Sequence, residues 1–82
     1  MEEALFVMRS VTGAQRGAAA LRRGGIFCRV ARTPRALAAG CGYCLYLAAT
    51  DAPEAARLLR QAGIPVQGRY RRGPGGSWEE RL

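Results

Sequence analysis

The chain contains no histidine and no lysine. Without an imidazole, neither a Ser-His-Asp triad nor a Cys-His pair can be built. With only three cysteines besides, a complete mononuclear zinc site of thiolates and imidazoles is excluded within one chain. Aromatics make up 7% of the residues, and no block interleaves them with Arg in the manner of a single-strand nucleic-acid motif. The longest apolar stretch, 36–49, is too short to span a bilayer and is broken by Gly40 and Gly42. Met1-Glu2-Glu3 is acidic where a secretory signal needs positive charge. An odd number of cysteines in a chain of this kind fits free thiols in a reducing cytoplasm, so a cytoplasmic location without membrane association is expected.

What is present describes one small folded domain. The chain has 82 residues, and at that size only about 60% of the unfolded surface is buried. A deep cofactor pocket does not fit, and no cofactor or metal is implied. The hydrophobic fraction of 49% against 23% charged residues excludes bulk disorder. The net charge is +7, and all thirteen cations are Arg. Arg suits phosphate, but an all-Arg complement equally fits a biased composition. The Arg residues are scattered, not striped, which argues against nucleic acid as the partner.

The chain repeats itself at an offset of 38 residues. Leu21-Arg22-Arg23-Gly24-Gly25-Ile26 aligns with Leu59-Arg60-Gln61-Ala62-Gly63-Ile64, and Leu5 to Met8 aligns with Tyr43 to Tyr46. Each half reads as strand, helix, Gly stop, strand. Ser10 and Thr12 are N-cap candidates for a helix over about 13–23 with Ala14, Ala18 and Leu21 as its apolar stripe. Asp51 and Glu54 resemble a capping box for a second helix that buries Ala55, Leu58, Leu59 and Ala62, with Pro53 in its first turn. Cys28 shares a strand face with Ile26 and Val30, which predicts a buried structural thiol. Pro65 predicts that the last strand is an edge strand. The order β-α-β-β-α-β predicts an α+β fold: a ferredoxin-like plait with a four-stranded antiparallel sheet ordered 4-1-3-2 and both helices on one face. Residues 1–70 form that domain, and 71–82 read as a loose basic Arg/Gly-rich tail. A small Ala-rich core leaves homodimerisation as open as a monomer.

The connection between the halves runs from Arg32 to Gly42 and is longer than a hairpin needs. Thr33, Pro34 and Gly40 have the types that cap, start and end a short helix. Cys41 follows that stop and precedes the third strand, next to Gly42. In the expected topology the end of strand one and the start of strand three share an edge. This places Cys41 beside Ser10, Val11 and Thr12 at the first helix N-terminus, with Arg9, Arg32 and Arg35 near. A helix N-terminus and guanidinium groups both favour thiolate. Cys41-Gly42-Tyr43-Cys44 is also a C-x-x-C, but its second Cys falls in a strand, where residues three apart face opposite sides. For Cys44, packing on the outer sheet face is the ordinary reading; a Cys41–Cys44 disulfide and a metal half-site shared across a dimer are the alternatives.

On these residues the chain resembles the selenium/sulfur carrier protein-like family, small bacterial domains, over about 5–70. The most specific part is Pro34-Arg35-x-Leu37-x-x-x-Cys41-Gly42 ahead of an apolar strand, supported by Ser10, by Leu21 to Ile26 and by Ala62-Gly63-Ile64. Ala38 and Ala39 stand where the family usually has polar residues, and Cys44 is an addition. The resemblance implies a non-enzymatic carrier holding a persulfide or selenosulfide on Cys41. Gly42 would give close approach, and Arg35 would stabilise the thiolate. A cysteine desulfurase or a selenium-metabolism protein would be the donor, to an acceptor the sequence does not name. Two other readings remain: a basic ferredoxin-like binding module for nucleic acid or a regulatory ligand, and a Cys41/Cys44 thiol-disulfide regulator. For the binding module, Tyr46 and Phe6 are the expected aromatic neighbours on the open sheet face.

Overall fold

The fold is seen in a computed structural model that describes residues 2–37 and 42–81. In chain order the elements are β1 (Glu3–Met8), α1 (Val11–Arg23), β2 (Cys28–Arg32), β3 (Tyr43–Ala48), α2 (Ala52–Gln61), β4 (Val66–Arg72) and β5 (Trp78–Arg81). A single 3-10 turn, Ala49–Asp51, leads into α2. The α+β class is as expected, and every strand pairing is antiparallel. The sheet order is β2-β3-β1-β4-β5. The first four strands hold the expected order, but the sheet has five strands and not four.

The fifth strand comes from the segment read as a loose tail. β4 runs through Arg71 and Arg72, so the boundary placed after residue 70 falls inside a strand. The chain then reverses over Pro74–Gly76, where Gly75 and Gly76 take φ values of 79° and 84°. Side chains rarely adopt that conformation, so this Gly-rich stretch is a turn and not a solvated tail. β5 pairs Trp78 with Arg72, Glu79 with Arg71 and Glu80 with Tyr70, setting acidic residues against a basic strand. β4 is therefore an inner strand, contrary to the edge position Pro65 suggested; the proline lies just before the first ladder residue and removes no donor from it.

Both helices stop in the same way. Ile26 N–H donates to the Leu21 carbonyl and Gly25 N–H to the Arg22 carbonyl; Ile64 N–H donates to the Leu59 carbonyl and Gly63 N–H to the Arg60 carbonyl. Gly25 and Gly63 have φ of 84° and 72°. These are two Schellman caps, each closed by a buried Leu–Ile pair. The 38-residue sequence repeat is thus a repeat of helix endings. The helix starts differ. Ser10 caps α1, its hydroxyl accepting from Gly13 N–H at 3.0 Å. The expected Asp51–Glu54 capping box is not formed: Asp51, the last residue of the 3-10 turn, has helical backbone angles and makes no side-chain cap, and Glu54 instead accepts from Arg57 at 2.8 Å.

Side-chain alternation divides the sheet into two faces. Ala4, Phe6, Met8, Leu45, Leu47 and Cys28 join Ala14, Ala18, Leu21, Ala55 and Leu59 in one cluster beneath both helices. Leu58 is only partly buried and Ala62 is exposed, so α2 buries a narrower stripe than its sequence suggested. Leu5, Val7 and Cys44 form a second cluster on the helix-free face. Leu59 is fully buried at the meeting of α1, α2 and the sheet, where an added Cβ on Gly17 would sit 3.2 Å from its side chain. Leu59→Ala should destabilise the protein by about 2–5 kcal/mol, read as a lower urea midpoint at unchanged slope; a loss below about 1 kcal/mol would mean that this junction is not close-packed.

Candidate functional site

The register places the end of β1 beside the start of β3. Met8 pairs with Tyr43, and Tyr43 pairs on its other side with Arg32. Ser10, two residues beyond Met8, is the N-cap of α1. The α1 N-terminus, the Arg32–Tyr43 pair and the connection between β2 and β3 therefore gather at one end of the sheet, as expected. Arg9 and Arg35 are exposed, and Arg32 lies 5.5 Å from the Tyr43 ring centroid. Chain topology thus brings Arg9, Arg32 and Arg35 toward one end although they are separated in sequence.

The connection opens with a turn. Thr33 N–H donates to the Gly42 carbonyl at 2.9 Å, closing the base of the loop, and Leu37 N–H donates to the Pro34 carbonyl at 3.0 Å. Residues 34–37 form a turn; Gly40, which would end the expected helix, and Cys41 lie outside the described residues. Leu37 folds against the Leu5, Val7 and Cys44 cluster. A side chain on residue 42 would approach Thr33 Oγ1 to 3.2 Å. A glycine at 42 lets the two loop ends close on each other.

The other two thiols are enclosed. Cys28 and Cys44 are free cysteines, both buried. Cys28 lies in the main core beneath α1, its thiol 3.8 Å from the Ala18 carbonyl. Cys44 is the structural thiol of the outer cluster, and its Sγ lies 3.7 Å from the Arg32 carbonyl. Burial pushes both thiols up; for Cys28 the Arg22 charge opposes this, and for Cys44 the Thr33 and Tyr46 hydroxyls and Arg29 oppose it, in neither case enough. Both are neutral at physiological pH and poor nucleophiles.

What covers Cys44 was only partly legible. Phe6 points to the helices and is not the neighbour of Tyr46. The neighbour is Trp78 from β5, its ring centroid 6.0 Å from that of Tyr46. The Arg29 guanidinium lies 4.3 Å above the Tyr46 ring and that of Arg72 lies 4.5 Å above Trp78. Glu3 joins the two, 3.9 Å from Arg29 and 3.4 Å from Arg72. The signal that could have revealed this was the Gly-Pro-Gly-Gly turn between basic and acidic strand-length segments. Among the described residues no group of three or more Cys, Asp and Glu could hold a metal ion. No described helix is long and apolar enough to cross a membrane.

A family model described as Putative Se/S carrier protein-like matches residues 3–71. The chain belongs to that family. No curated protein and no solved structure matches it. The match takes in β1 through nearly all of β4 and stops short of β5, so the aromatic cover over Cys44 draws on residues beyond it.

The raised thiols carry a pH dependence. Folding favours their protonated forms, so this stabilisation is complete below the ordinary thiol value of about 8.5 and is lost as pH rises above it. Stability should fall from about pH 8.5 upward, and Cys44→Ala should make that fall shallower; an unchanged alkaline slope in urea titrations of the variant would show that Cys44 does not contribute.

Proposed function

We propose that the protein is a sulfur or selenium carrier in which Cys41 holds the transferred atom as a persulfide or selenosulfide. The reading rests on family membership and is carried by one observation: the two other thiols of the chain, Cys28 and Cys44, are buried and shifted away from thiolate. Any thiol chemistry at neutral pH then falls to Cys41. We read the fold as a ferredoxin-like plait with an added edge strand, in which the connection bearing Cys41 leaves the sheet at the end where α1 begins.

In transfer, the Cys41 thiolate attacks the terminal sulfur of a donor persulfide. A new S–S bond forms to Cys41, the donor S–S bond breaks, and its electron pair leaves on the donor thiolate. The proton stays on the terminal sulfur, and no net oxidation occurs. Arg35, exposed in the turn before Cys41, and the α1 N-terminus favour the thiolate that begins the step. Gly42 leaves one flank of Cys41 free of a side chain. The donor is a cysteine desulfurase or a selenium-metabolism protein, and the protein acts as its co-substrate in the cytoplasm.

After incubation with a cysteine desulfurase and cysteine, the intact protein should gain about 32 Da, one sulfur, by a transfer that needs an ionised acceptor thiol. The gain should vanish in Cys41→Ser and persist in Cys28→Ala. Retention of the adduct in Cys41→Ser would overturn the assignment. Alkylation of the native protein at neutral pH should likewise modify Cys41 well before Cys28 or Cys44, with an apparent pKa below the ordinary thiol value of about 8.5; an apparent value above it would remove the electrostatic part of the mechanism.

A further inference from the structure

We infer that the cleft between α2 and β4 is a docking groove for an acidic, apolar-anchored segment of a partner protein. The groove consists of two concavities that meet at Arg69. One, of about 450 Å³, is floored by Ala4, Phe6, Ala49 and Ala52 and edged by Arg69 and Arg71; the other, of about 470 Å³, is floored by Ala56, Ile64 and Val66 and edged by Arg60 and Arg69. Its origin is compositional. The α2 residues lining it are Ala52, Pro53, Ala56 and Arg60, and beyond Val66 the helix-side residues of β4 are Arg69 and Arg71, opposite Phe6 and Ala4 in the register. No large apolar side chain from either element fills the space between them.

The charge of the groove selects its occupant. Glu2 is the only acid among its lining residues, and it lies 3.6 Å from Arg71. Neither Arg60 nor Arg69 has an ion-pair partner among the described residues. The helix-free face behaves oppositely, since there Glu3 engages Arg29 and Arg72 together. A groove with a small-residue apolar floor and unpaired guanidinium groups on its rim fits a polypeptide that inserts apolar side chains and offers carboxylates beside them. A nucleic acid strand would bring charge but no aliphatic side chains for the floor. The inference stands on the groove alone and does not depend on the chemistry of Cys41.

The test uses the full chain and fluorescence anisotropy with a labelled peptide of alternating Leu and Glu. The peptide should bind. Arg69→Glu should weaken it by about tenfold, and Ala56→Leu, which fills the floor without changing charge, should do the same. Arg16→Glu, on the exposed side of α1, should leave affinity within about twofold, as a remote surface charge should. A Ser-Glu peptide of the same charge and a single-stranded RNA of the same length should both bind at least about tenfold more weakly than the Leu-Glu peptide. Absence of Leu-Glu binding, equal binding by the Ser-Glu peptide, tighter binding by RNA, or an Arg16→Glu loss as large as that of Arg69→Glu would each overturn the proposal. Cys41→Ser should bind like the unaltered protein, so a failed carrier reading and a failed groove are read separately.

Discussion

The structure depends on the burial of one strand from both sides. Ala4 to Met8 of β1 are all buried, with β3 on one flank and β4 on the other. An unbroken apolar strand at the centre of a sheet needs cover on both faces. Two helices provide it on one side. On the other there is no helix, and Leu5 and Val7 would face water if nothing else reached them. The chain answers with Leu37 from the β2–β3 connection and with Tyr46, Tyr70 and Trp78 laid over the sheet. The two segments outside the repeat, the long connection and the C-terminal hairpin, are both tied to that one requirement.

This coupling bears on the carrier site. Leu37, partly buried, packs against the outer cluster four residues before Cys41, and Thr33 is tied to Gly42 by a backbone hydrogen bond. The connection is therefore held at its base and at Leu37. A short connection would close β2 to β3 as a plain hairpin and have no residue to spare for the outer cluster. The extra length serves packing and the placement of a thiol together. The same arrangement encloses Cys44 and so separates two cysteines only three positions apart into an enclosed thiol and one in the connection.

Legibility followed locality. The helix stops, the strand faces, the burial of Cys28 and Cys44 and the gathering of β1, β3 and α1 at one end could be read because each follows from spacing within a few residues or from connection handedness. Misreadings arose where long-range pairing overrides composition. Arg71-Arg72-Gly73-Pro74-Gly75-Gly76 has the composition of a solvated tail, yet Glu79 and Trp78 across the turn make it a hairpin. Asp51 and Glu54 have the spacing of a capping box, but the 3-10 turn puts Asp51 inside helical backbone, and Arg57 competes for Glu54. Phe6 was assigned to the wrong face because an unbroken apolar run has no alternation from which to choose one; the register with β3 and β4 decides it. For the proposed site, the family resemblance pointed to Cys41, whereas the cover that Trp78 lends to Cys44 required the tertiary structure.

Charge is paired unevenly over this chain of net charge +7. On the helix-free face the cations are used internally. Arg29 and Arg72 lie on aromatic rings and share Glu3, so their guanidinium groups hold the cover over Cys44 in place. On α2, Arg57 engages Glu54 and Gln61. Along the rim beside α2, Arg60 and Arg69 have no ion-pair partner among the described residues. Unpaired cations speed encounter with acidic surfaces.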